Sequence, residues 1–295
     1  MRKDGFNVHY YVNINALLNN EDIDSVDICI PINKHAEIAI KAANAYKHIF
    51  IEKPITLSLR EADDIIEAAK INSVKGMVGH CVRFWPEYIK AKEIADSGKL
   101  GRPLYAYSER LLTCPDWLED NWDFNEEYSG GAAIDLQCHD LDYLIWLFGK
   151  PSIVKSQGVY NPDFGGFVQV ATSVEFESGQ IGLAQGGWAY KGSFPFTVVV
   201  RVLCEKGTID WLFRGGKNVE GISNKSDLIV YEADGTSYKP EIEQIDPYLA
   251  ELKYFIDCLD NKKPIERSTL ENGRAALELS LAARKSAKEK ITVKF

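Results

Sequence analysis

His48-Ile49-Phe50-Ile51-Glu52-Lys53-Pro54 is the stretch that decides the fold. A short apolar run stopped by a charged pair and a proline reads as a buried strand of the kind found inside parallel sheets. Upstream, Val26-Asp27-Ile28-Cys29-Ile30 is a second such run, ending at Pro31, and the segment between them, from about Lys34 to Ala45, has helical spacing. Downstream, Ser58-Leu59-Arg60-Glu61 has the form of a capping box, with Ala62, Ile65, Ile66 and Ala69 as the apolar stripe behind it. Gly76-Met77-Val78-Gly79-His80 is the next strand, and a helix is expected from about Pro86 to Ala95. Strand and helix in alternation predict a parallel sheet with right-handed crossovers.

The texture changes after the turn cluster Gly98-Lys99-Leu100-Gly101-Arg102-Pro103. From Leu104 to about Ala233 the segments are strand-like, apart from one helix near 131–148. Phe167–Phe176, Gln180–Ala189 and Phe196–Leu203 are examples, separated by Gly, Ser, Asn and Pro, and they predict an antiparallel sheet. Gly186-Gly187 and Gly215-Gly216 read as turns or bulges in it. Val168, Val170, Val198 and Val200 alternate with Phe167, Ala171, Phe196 and Val199, so both faces of the sheet are expected to be covered. Two helices, Tyr248–Leu259 and about Leu270–Lys288, close the chain.

A chain of 295 residues has room for two domains. No run of roughly 18 apolar residues occurs and the start lacks an apolar signal core, so a cytoplasmic protein is expected. The net charge of −9, spread without blocks, argues against a nucleic-acid partner, which needs clustered Lys and Arg. The six cysteines are scattered and form no CxxC; Cys29, Cys204 and Cys258 sit among apolar neighbours and are expected to be buried.

Two places carry chemistry. Lys53 lies just past a strand end, where ligands bind in open α/β sheets, and Glu52 beside it can hold its ammonium. A surface lysine in a proline turn is the plainer alternative. The second is Gly130-Gly131-Ala132-Ala133-Ile134-Asp135-Leu136-Gln137-Cys138-His139-Asp140-Leu141-Asp142. On a helix, Asp135, His139 and Asp142 share one arc, and an imidazole between carboxylates suits general base chemistry. A solvated polar face is the alternative. A metal site is disfavoured by a single His with no Cys in that arc. GxGxxG, GxxxxGK[ST] and GxSxG are all absent from the sequence.

In their order, these stretches resemble the glucose–fructose oxidoreductase/inositol dehydrogenase family, Gfo/Idh/MocA. The likeness runs from Ile30-Pro31 and His35-Ala36 through Lys47-His48-Ile49 to Glu52-Lys53-Pro54. It continues with Val78-Gly79-His80, Arg83-Phe84, Pro86, Ser97-Gly98-Lys99-Leu100-Gly101 and the GGxxxDxxxHxxD stretch from Gly130 to Asp142. Ile32 stands where the family often has Asn, and Tyr46 where it usually has Gly.

The resemblance implies a truncated Rossmann-type domain over 1–102, followed by a mostly antiparallel open-sheet domain over 103–295 for substrate binding and oligomerisation. It implies hydride transfer between NAD or NADP and a sugar, inositol or related polyol. Lys53 would bond the reacting hydroxyl, His139 would move its proton, and Asp135 would orient His139 and substrate. Pro31, His35, Glu52, Lys53 and Arg83 would line the cofactor. Trp122, in the loop Cys114–Tyr128 with Trp117, would join Lys53, Asp135 and His139 around the substrate. A homodimer or homotetramer is expected, with no membrane partner. The strand, glycine-rich loop and helix that open family members do not occur in these 295 residues. The chain is therefore expected to start at an internal Met of a longer protein or to be a relic, with weak NAD(P) binding. The rival reading is a non-catalytic remnant that binds carbohydrate or serves as a subunit.

Overall fold

A computed structural model describes residues 9–19, 22–114, 126–216 and 227–295. After one helical turn, α1 (Ile14–Leu18), come β1 (Ser25–Ile28), α2 (His35–Asn44), β2 (His48–Glu52), α3 (Leu59–Ile71) and β3 (Gly76–Gly79). The three strands lie in the order β1-β2-β3, and both pairs are parallel. The expected alternation is thus the alternation observed. Val26, Ile28, Ile49, Ile51 and Val78 bury one sheet face against alanines of α2 and Ala62, Ile65 and Ala69 of α3. Full burial of each aliphatic side chain stabilises the fold by about 1.5–3 kcal/mol.

Ser58 caps α3 by accepting from the Glu61 amide at 3.3 Å. The reciprocal half of the box differs, since the Glu61 carboxylate takes the Ser58 hydroxyl at 2.9 Å instead of its backbone amide. Past α2, Tyr46 adopts a φ of 59°. Left-handed backbone there explains why the resemblance expects glycine, which adopts it without a Cβ penalty.

α4 (Pro86–Asp96) leads into β4 (Pro103–Thr113), the turn α5 (Glu126–Ser129) and α6 (Cys138–Phe148). Then follow β5 (Pro151–Asn161), β6 (Gly166–Phe176), β7 (Ile181–Tyr190), β8 (Thr197–Cys204), β9 (Gly207–Arg214), β10 (Ile229–Glu232) and β11 (Ser237–Tyr238). α7 (Pro247–Asp260), α8 (Leu270–Glu289) and β12 (Val293–Lys294) complete the order. The nine-stranded sheet runs β11-β10-β9-β8-β4-β7-β6-β5-β12. Every pairing in it is antiparallel except β4 with β7.

Its inner face packs on α4 and α6 through Val168, Val174, Val198, Val200, Val202 and Trp211. Of the residues that alternate with these, Phe167, Phe196 and Val199 are buried as well, and Ala171 is exposed. The outer face is made apolar by Ile181, Leu203 and Leu212, all more than a third exposed. Gly186 and Gly187 sit inside β7, where the register with β4 slips just after Gly187, so they mark a bulge and not a turn; a Cβ on Gly186 would lie 3.0 Å from that of Gln137.

The two sheets are tied together from the far end of the chain. The Val78 amide donates to the Ser268 carbonyl at 2.9 Å, and the Ser268 hydroxyl donates to the Val78 carbonyl at 2.6 Å. Thr269, which caps α8 in a full capping box with Asn272, bridges Met77. The outer edge of β3 is thereby closed, while β1 pairs only with β2 among the described residues. Cys204 and Cys258 are buried as expected, but Cys29 is exposed, because it lies beyond the last paired residue of β1.

Candidate active site

Lys53 leaves the carboxyl end of β2 and reaches across to the segment ahead of α6. Its ammonium donates to Asp135 twice, to Oδ1 at 2.8 Å and to the backbone carbonyl at 2.8 Å. The two side chains are 18% and 20% exposed, so the pair sits in a crevice and the surface-lysine alternative falls. Burial works against the ammonium, yet the touching Asp135 carboxylate outweighs it and raises the Lys53 pKa. Lys53 therefore stays charged and acts as a donor rather than a base. Glu52 does not hold that ammonium: its Oε2 accepts the Lys53 backbone amide at 3.0 Å. Burial raises the Glu52 pKa against the pull of Lys53.

The segment carrying Asp135 is not the plain helix that its spacing suggests. Gly130 and Gly131 take φ of 80° and 67°, and Ala132–Leu136 form a turn of π-helix closed by the Gln137 amide on the Ala132 carbonyl. Gln137 fixes this turn to the sheet, donating to the carbonyls of Val170 and Ala184 at 3.0 and 3.1 Å and accepting the Thr172 hydroxyl at 2.8 Å. The wider turn breaks the common arc. Asp135 goes to Lys53, while Asp142 is fully buried and takes both prongs of Arg83 at 2.8 Å. A solvated polar face is thus ruled out as well: His139, Asp140 and Asp142 are 8%, 0% and 0% exposed.

His139 has no hydrogen-bond partner at Nδ1. Burial pushes its pKa well down, and the positive charges of Arg110 and Lys53 act in the same direction. A neutral imidazole follows, able to take a proton. Below it, Asp140 accepts the Ser108 hydroxyl at 2.6 Å and stands 3.6 Å from Arg110, which donates to the Tyr88 hydroxyl at 3.0 Å. Burial raises Asp140 to about 6 despite that arginine.

Among the residues expected to line a cofactor, His35 is a strut. Its ring nitrogens face the carbonyls of Ile30 at 2.8 Å and Pro54 at 3.1 Å, joining the loops after β1 and β2. Pro31 is exposed on the first of these loops. Arg83 is spent inside the protein, with its third nitrogen on Asn272 at 3.3 Å, which leaves it no free prong for a cofactor. Trp122 and Trp117 lie outside the described residues.

Three residues were not singled out from the sequence. His80, 1% exposed, has no hydrogen-bond partner at either ring nitrogen, and its Nδ1 is 3.9 Å from Asp142. Arg110 was hidden in a strand, although its in-phase position with Ala106 and Ser108 points it inward. Tyr248 opens α7; Cys81 beside it is the main cause of its raised pKa, and the charges of Lys53, Glu52 and Arg110 also reach it. The orphaned nitrogens of His80, just past β3, and of His139, in the first turn of α6, suit the polar, amide-bearing end of a nicotinamide nucleotide.

The chain matches two family descriptions. Residues 3–80 match "Oxidoreductase family, NAD-binding Rossmann fold", and residues 92–295 match "Oxidoreductase family, C-terminal alpha/beta domain". It is 29% identical over 284 residues to the scyllo-inositol 2-dehydrogenase (NAD(+)) of Bacillus subtilis, covering 92% of this chain and 77% of that protein. It is 28% identical over 296 residues to the myo-inositol 2-dehydrogenase of Thermotoga maritima, covering 97% and 84%. The aldose-aldose oxidoreductase of Caulobacter crescentus shares the fold, with a TM-score of 0.82, 20% identity and coverage of 95% and 82%. All three carry enzyme names, and nothing in them supports the non-catalytic reading.

Proposed function

Because the chain belongs to the Gfo/Idh/MocA oxidoreductase family, we propose that it moves a hydride between NAD or NADP and a hydroxyl-bearing carbon of a sugar, inositol or related polyol. The observation that carries this reading is a charged Lys53 just past the end of β2, anchored on Asp135, within electrostatic reach of a neutral buried His139 in the first turn of α6. Lys53 donates to the reacting oxygen and steadies its developing negative charge. His139 receives the hydroxyl proton on oxidation and returns it on reduction. Asp135 fixes the lysine and offers the substrate an acceptor. The nicotinamide, when bound, supplies the acceptor for the hydride leaving the same carbon. Pro31, Glu52 and Lys53 form its side of the crevice, with His35 holding two of the loops in register.

In this reading residues 1–102 serve the cofactor and residues 103–295 the substrate and subunit contacts. All six cysteines are free, which fits a reducing cytoplasm. Incubating the folded chain with NAD+ or NADP+ and a panel of inositols and aldoses should form NAD(P)H with at least one of them. No formation with any would remove the assignment, and titration with NADH measures the cofactor affinity directly.

The apolar outer sheet face supports association of two or four copies. Light scattering at micromolar protein should give a dimer or tetramer mass; a monomer mass contradicts this.

A further inference from the structure

A second concavity, of about 480 Å³, lies at the start of α4 and ahead of α7, and the hydride-transfer chemistry does not use it. Its size falls within the range of small-molecule sites. Trp85 forms an aromatic wall, braced edge-on by Trp211 and Phe213 at centroid separations of 5.8 and 5.9 Å. Glu87, Asp227 and Asp246 make the lining acidic, and Lys239, its one basic side chain among the described residues, is already paired with Asp227. Glu87 is 8% exposed; its Oε1 accepts the Gln244 amide at 3.1 Å, and its Oε2 has no partner. A buried acceptor left unmade costs about 1–3 kcal/mol, which a ligand hydroxyl would relieve.

This chemistry selects its ligand. Like charge turns phosphates and carboxylates away. An indole beside carboxylate and amide acceptors suits a neutral pyranose, whose C–H face is apolar and whose rim is hydroxylated. The walls of the concavity also touch residues that border the catalytic crevice. Phe213 packs on Phe196 at 6.2 Å, and Arg110, the neighbour of His139, lies over the Phe196 ring at 5.8 Å. On the other side, Asp246 and Pro247 run directly into Tyr248.

Resting on the dehydrogenase reading above, we propose that this concavity is a second sugar subsite, holding the non-reacting ring of a glycoside whose other ring meets Lys53 and His139. The test is calorimetric titration of the full chain with cellobiose, maltose and lactose, each against its constituent monosaccharides. At least one disaccharide should bind ten-fold or more tightly than its monosaccharides, a gap of about 1.4 kcal/mol. Trp85→Ala and Gln244→Ala should each bring that ratio close to one. Gln244 is exposed, so its variant remains informative if loss of the indole unfolds the protein. Equal affinities, a ratio that survives Gln244→Ala in folded protein, or no binding of any of these sugars overturns the subsite. Turnover separates the two ideas. Monosaccharide oxidation without disaccharide preference removes the subsite alone, whereas disaccharide preference without any oxidation supports the subsite and removes the dehydrogenase reading.

Discussion

Lys53→Met and His139→Ala should each lower kcat by about 10²–10⁴-fold, the usual contribution of a positioned proton-transfer or charge-stabilising group. Methionine keeps the length of the lysine stem and removes only the ammonium that Asp135 holds. Alanine at 139 removes a ring that is 8% exposed, so circular dichroism must show a folded variant before its rate is interpreted. The two variants should differ in pH dependence. Loss of His139 should remove the limb of kcat/KM that reports protonation of a base whose pKa burial holds well below the ordinary histidine value. Loss of Lys53 should keep that limb but move it upward, since one of the positive charges that hold the imidazole down is gone. A rate within a few-fold of the parent for either folded variant contradicts the assigned roles.

Arg83→Met should cost about 3–5 kcal/mol of stability, because it strands the Asp142 carboxylate at 0% exposure with its two charge-assisted bonds gone. Burial alone would raise the Asp142 pKa, and the arginine is what holds it below the carboxylate norm. The compensating double variant Arg83→Met/Asp142→Leu should recover most of the loss, since two apolar side chains leave no buried charge. Urea denaturation of the parent, both single variants and the pair measures the cycle. A double variant no more stable than Arg83→Met would show that the stranded carboxylate is not the cause.

Much of the architecture could be read from local pattern. His48–Ile51 announced a buried parallel strand because an element covered on both faces has no reason to alternate, whereas Val26–Ile30 gave a strand buried on one face, with Asp27 exposed between Val26 and Ile28. Lys53 could be placed at a strand end because Glu52-Lys53-Pro54 stops the run. What escaped reading depends on partners far away in the chain. The π turn at Ala132–Leu136 is held by Gln137 on β6 and β7, and helical spacing carries no trace of those bonds. As a result Asp135, His139 and Asp142 looked like one stripe but separate into a lysine partner, a lone imidazole and a buried arginine partner. Cys29 looked apolar from its neighbours, yet β1 ends one residue earlier and leaves it outside. The parallel pairing of β4 with β7 was equally invisible, because register belongs to the sheet and not to either strand.

The seam between Val78 and Ser268 also sets an order of events during synthesis. β3 leaves the ribosome roughly 190 residues before its second neighbour exists. At typical elongation rates of about 5–20 residues per second, that delay is on the order of 10–40 seconds. Through that interval the small sheet has its β2 pairing but an open flank, and an open flank is a template for strands of other chains. The last strand of the N-terminal sheet is therefore sealed only once the segment around Ser268 has been made, and a newly made chain depends on that distant segment to leave the aggregation-prone state.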